Sequence, residues 1–97
     1  MANYILKNRA DQDLQEIWEY TNNKWGEKQA RIYLEQLEAR FVLLANNPQL
    51  GILRDDIFED YYSFVEQKHV IFYRRRDEVV EIIRILHQSR NNEKLIF

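Results

Sequence analysis

The stretch EKQARIYLEQLEARFVLLAN, Glu27 to Asn46, decides how the rest of this 97-residue chain is read. Ala30, Tyr33, Leu34, Leu37, Phe41 and Leu44 recur at spacings of three and four, which places them on one stripe of an α-helix. Glu27, Lys28, Arg31, Glu35, Glu38 and Arg40 fall towards water. Asn46-Asn47-Pro48 ends the helix, because proline has no amide to donate and disfavours helical backbone at the residue before it. A stripe this apolar has to be covered. The chain supplies a second helix before it and a block of strands after it.

On the N-terminal side, Asn3 to Leu6 reads as a short strand. Asn8 is the expected N-cap of a first helix running to about Lys24, with Asp11 and Asp13 near the positive end of its dipole. Ala10, Leu14, Ile17, Thr21 and Trp25 share one side of that helix, and Trp18 flanks it. Trp25-Gly26 breaks the two helices apart, and a connection so short predicts an antiparallel hairpin. On the C-terminal side, Pro48 to Asp56 reads as a loop. Strands are expected over Phe58 to Val65, His69 to Arg74 and Val79 to Leu86, joined by short polar turns. Alternation puts Val80, Ile82, Arg84 and Leu86 on one face of the last strand. Val79, Glu81, Ile83, Ile85 and His87 take the other. Both faces are largely apolar, so this strand is expected to be central. The apolar end Leu95-Ile96-Phe97 is expected to pack back on the domain or add an edge strand. The fold class is therefore α+β: an N-terminal strand, a two-helix hairpin and three antiparallel strands, with the helices on one face of the sheet.

Length and composition support one domain over residues 1–97, with a single modest core. There is no cysteine, which removes disulfides and thiolate metal sites. Met1 to Lys7 is too short and mixed for a signal peptide, and no apolar run approaches a membrane span, so a cytoplasmic protein is expected. The net charge of −2 excludes the chain as a whole from binding polyanions. Asp55, Asp56, Glu59, Asp60 and Glu66 form an acidic stretch. From Lys68 to Arg90 the balance turns basic, which fits either solvated strand edges or a face for an acidic partner.

No strong catalytic motif is present, and no cofactor is expected. His69 and His87 can meet across an antiparallel ladder, but no H-x-x-x-H spacing or carboxylate set accompanies them, so no metal site is expected. The set worth weighing is Arg54, Arg74, Arg84, His87 and Arg90. Metal-free RNA cleavage needs a base, an acid and cations for the phosphorane charge. His87 suits the acid or base and the arginines suit the clamp. Arg84 equally suits a pair with Glu81 or with a carboxylate across the sheet.

Several motifs in this order resemble the ParE toxins of the RelE/ParE superfamily. They are Ala10-x-x-Asp13-Leu14-x-x-Ile17, Trp25-Gly26-x-x-Gln29-Ala30-x-x-Tyr33, and Leu44-Ala45-Asn46-Asn47-Pro48-x-x-Gly51 with Arg54 just beyond. His69-Val70-Ile71-Phe72-Tyr73 and Arg84-Ile85-Leu86-His87 complete the series. The resemblance implies a β-α-α-β-β-β fold and a toxin of a type II toxin–antitoxin module, with a ParD-like antitoxin and DNA gyrase as partners. It also implies two alternatives: a RelE-like ribosome-dependent ribonuclease using Arg54, Arg84 and His87, or a non-toxic antitoxin-binding relative. After His87 the chain offers Gln88-Ser89-Arg90-Asn91-Asn92 and no tyrosine, and its pI is about 5.7; both depart from the ribonuclease pattern. Arg84, His87, Arg90 and Lys94 are the expected target contacts. Trp18 and Tyr20, off the core stripe, with Arg74 and Arg75, are the expected antitoxin contacts; Trp18 also suits a widened core.

Overall fold

The structure is a computed structural model and describes residues 3–89. In chain order it contains β1 (Asn3–Leu6), α1 (Asn8–Trp25), α2 (Glu27–Asn46), a 3-10 turn (Pro48–Leu50) and β2 (Ile52–Leu53). β3 (Tyr62–Glu66), β4 (His69–Arg76) and β5 (Val79–His87) follow. One sheet holds all five strands in the order β1-β5-β4-β3-β2. β1 lies parallel to β5, and every other neighbouring pair is antiparallel. This leaves β5 interior, as its two apolar faces require. Among the described residues no helix is long and apolar enough to cross a membrane.

The helical hairpin covers one face of the sheet. Ala30, Tyr33, Leu37, Phe41, Leu44 and Ala45 of α2 are buried, and Leu34 packs against them partly exposed. They meet Ile71, Tyr73, Val80, Ile82 and Ile85 of the sheet. The opposite face is not bare. Ile57, wholly buried, joins Val70, Phe72 and Leu86 in a second cluster roofed by the loop between β2 and β3.

Five expectations are corrected. Asn8 is the first helical residue and Lys7 is the cap, with no side-chain capping bond. The Lys7 N–H continues the strand pairing by donating to Ile82 O at 3.0 Å, so no residue is left over for a separate cap. Trp25 is 63% exposed, because the buried side of α1 is Ala10, Asp13, Ile17 and Thr21. The strand expected from Phe58 begins only at Tyr62. Phe58 to Tyr61 instead makes a turn, with Asp60 at φ 63° donating its N–H to Asp55 Oδ1 and the Phe58 and Tyr61 rings 5.2 Å apart. Finally, strict alternation in β5 stops at a bulge. Tyr73 pairs with Ile82 and Phe72 with Arg84, so Ile83 is the extra residue. Beyond it Ile85 joins Val80 and Ile82 under the helices, while Leu86 joins the loop-side cluster. β2, inside the expected loop, adds a fifth strand by pairing Ile52 with Ser63 and Leu53 with Tyr62.

Gly51 shows how tightly the helix exit is held. Buried Tyr73 donates its hydroxyl to Pro48 O at 2.8 Å and accepts the Gly51 N–H at 2.9 Å. A Cβ on Gly51 would lie 2.6 Å from both Ser63 O and the Tyr73 hydroxyl. Gly51→Ala is therefore expected to cost about 1–3 kcal/mol through overpacking, read as a lower urea midpoint. Gly26 has the opposite need: its φ of 96° disfavours a side chain although nothing lies within 4 Å.

Candidate functional site

The site begins where β1 runs out. β1 accompanies β5 only from Val79 to Ile82, and among the described residues no strand accompanies the outer edge of β5 from there to His87. Asp13, on the buried side of α1, takes over. Its Oδ2 accepts the Ile85 N–H at 2.9 Å and Arg84 Nε at 2.7 Å, and its Oδ1 accepts Arg84 Nη2 at 3.0 Å. Both side chains are almost fully buried. Arg84, expected from the sequence as a target contact, is thus buried against Asp13. Its partner is a helix carboxylate, because Glu81 is taken by Arg74 at 2.6 Å and Lys7 at 3.8 Å.

Arg54 makes two bonds to Asp56, at 3.0 and 2.9 Å, which raise its pKa, and lies over the Phe72 ring on the loop side of the sheet. Arg75 is exposed near the β4–β5 turn and donates to Asp77 O. Trp18 lines a shallow hollow with Leu14 and Leu34. Tyr20 is 63% exposed and belongs to a different concavity. His87 is exposed, with Nδ1 2.8 Å from Ser89 Oγ. Arg90 and Lys94, and the Leu95-Ile96-Phe97 end, lie outside the described residues. Arg54 and Arg84 each hold a carboxylate, Asp56 and Asp13, and both stand beside Phe72, which is the register partner of Arg84 and lies under the Arg54 guanidinium.

What the fold does assemble is a groove of about 720 Å³. It lies between the end of α1, the start of α2, the β3–β4 turn and the end of β5. Ile17, Thr21 and Ile85 line its base, and Leu86 touches its edge. On one rim Lys24 Nζ donates to the Tyr20 hydroxyl at 3.2 Å and lies 5.5 Å from the ring centres of both Tyr20 and Trp25. The other rim is the β3–β4 turn carrying Lys68. Gln67 Nε2 donates to Gln36 of α2, and Gln88 donates through its side chain to Gln67 O and through its backbone N–H to Lys68 O. Sequence reasoning singled out neither Lys24 nor Lys68 and placed Trp25 with the apolar side of α1.

Two imidazoles stand at the mouth. His69 and His87 are register partners, with ring centres 5.4 Å apart and planes nearly perpendicular. His69 Nδ1 is 2.6 Å from the Tyr33 hydroxyl. Burial first, and the neighbouring His87 second, push His69 down to about 4. Burial and then Glu66 push Tyr33 up to about 12. Two imidazoles are fewer than the three protein ligands of a zinc site, and the described residues hold no group of three or more candidate ligands.

His69 makes the fold acid-sensitive. Below its ordinary value of 6.5 the unfolded chain binds a proton that the folded chain refuses until about 4. Stability is therefore full above that window and falls as pH drops through it. Because the ring keeps some solvent contact, the loss is expected to be roughly 1–2 kcal/mol. Urea midpoints across the window test this: His69→Gln should lack that share of the decline.

The family model described as "ParE toxin of type II toxin-antitoxin system, parDE" matches residues 4–92. Toxin ParE1 of Caulobacter vibrioides is 40% identical over 91 residues, covering 94% of each chain. Toxin ParE1 of Mycobacterium tuberculosis is 35% identical over 94 residues, covering 96% of each. A solved structure titled "Chromosomal ParDE TA system from P. aeruginosa" shares the fold with a TM-score of 0.75 at 17% identity. That match covers 90% of this chain and 95% of the other.

Proposed function

This chain belongs to the ParE toxin family of type II toxin–antitoxin systems, and from that membership we propose a non-enzymatic toxin that inhibits DNA gyrase. A ParD-like antitoxin neutralises it by direct binding, in the cytoplasm. The observation that carries the non-enzymatic reading is the Asp13–Arg84 pair. A metal-free ribonuclease needs its cations aimed at the scissile phosphate, and here a buried carboxylate already engages the central arginine. Arg54 is likewise engaged by Asp56. Gyrase inhibition needs a binding surface and no nucleophile. Of the expected target contacts, exposed His87 keeps its place, with Arg90 and Lys94 beyond it; Arg84 drops out.

The test uses purified gyrase, supercoiled plasmid, ATP and increasing toxin. Linear DNA accumulating after detergent and protease treatment is the expected result, weakened in a folded Arg90→Ala, Lys94→Ala variant. Normal supercoiling at saturating toxin, with site-specific cuts in translated messages, would establish the ribonuclease instead. Growth without defect in the absence of antitoxin would mark a non-toxic relative.

A further inference from the structure

We propose that the antitoxin docks in the groove beside the end of β5 through an acidic amphipathic segment. Its apolar side chains rest against Tyr20 and Trp25 above Ile17, and its carboxylates reach Lys24 and Lys68. The inference rests on the antitoxin reading above. Its first support is charge. Among the described residues neither lysine has a carboxylate partner: Lys24 holds only the Tyr20 hydroxyl and two ring faces. Of the two acidic residues that line the groove among the described residues, Asp13 is consumed by Arg84 and Ile85, which leaves Glu16 against two ammonium groups. An otherwise acidic chain thus presents a cationic mouth. Its second support is shape. Tyr20 and Trp25 are each 63% exposed beside the groove's concave base, the kind of aromatic anchor that dominates interface energetics. Its third is rigidity. The Lys68 turn is tied to both α2 and β5, so little ordering entropy is lost there on binding.

The expected antitoxin contacts are thereby redistributed. Tyr20 remains in the interface, whereas Trp18 faces its separate hollow and Arg75 stands near the β4–β5 turn. The probe is the purified ParD-like protein encoded beside this chain, titrated into a Trp18→Phe background so that Trp25 is the sole indole. Binding should shift Trp25 emission to the blue. Lys24→Glu, Lys68→Glu should raise Kd at least about tenfold with unchanged circular dichroism and melting temperature. The milder Lys24→Gln, Lys68→Gln should fall between, and Arg75→Glu, Arg76→Glu should stay within about twofold. Tight binding that ignores the lysine reversals, or leaves Trp25 unmoved, would overturn the groove while keeping the antitoxin reading. So would a bound antitoxin segment of net positive charge. Dimerisation abolished by the lysine reversals would put a second copy in the groove and also overturn it. No binding to any form of the toxin would remove the antitoxin reading itself, and the groove proposal with it.

Discussion

Asp13→Ala is expected to lower folding stability by about 3–5 kcal/mol. The change removes one carboxylate but strands two groups. Arg84 keeps a charge in a site where its side chain is only 6% exposed, and the Ile85 N–H loses its acceptor. Desolvation makes each costly: an unsatisfied buried donor alone is worth roughly 1–3 kcal/mol. Urea denaturation should show a lower midpoint with little change in slope. The double variant Asp13→Leu, Arg84→Met should recover much of the loss, because replacing both charges leaves nothing buried and unpaired. A loss under about 1 kcal/mol would be that of a solvated surface bridge and would contradict the burial. Arg84→Ala strands the Asp13 carboxylate in the same way and should lower the melting temperature, so any toxicity scan needs a melting curve beside it.

Leu37→Ala is expected to cost about 2–5 kcal/mol. Leu37 is fully buried at the centre of the α2 stripe, among Tyr33, Phe41 and Leu44. Truncation forfeits the transfer energy of the removed carbons and leaves a cavity that a helix pinned against a five-stranded sheet fills poorly. Equilibrium denaturation reads it directly. A change below about half a kcal/mol is the size of a surface substitution and would mean that the helix presents a different face to the sheet.

Of the candidate site, the sequence foresaw the meeting of His69 and His87, because antiparallel neighbours joined by one hairpin have a register that can be counted. It foresaw Tyr20 off the core stripe. It did not foresee the groove. That cavity depends on where α1 ends relative to β5 and on two glutamines that pin a turn from distant elements. A docking site made of gaps between elements has no local pattern.

The same division runs through the fold. Residues close in sequence determined α2, whose three-and-four spacing buries Ala30 to Leu44, the break at Gly26, the strand Asn3–Leu6 and the interior position of β5. Each follows from a local period or a backbone limit that holds whatever the chain packs against. Only tertiary structure decided that Asp13 would cap the open edge of β5 and neutralise Arg84, 71 residues away. Only the sheet decided that Ile83 would bulge and reverse the alternation after it. An edge N–H and a buried guanidinium are satisfied by whichever carboxylate packing brings within reach. That choice belongs to three-dimensional geometry, because separation along the chain says little about distance once helix and strand have docked.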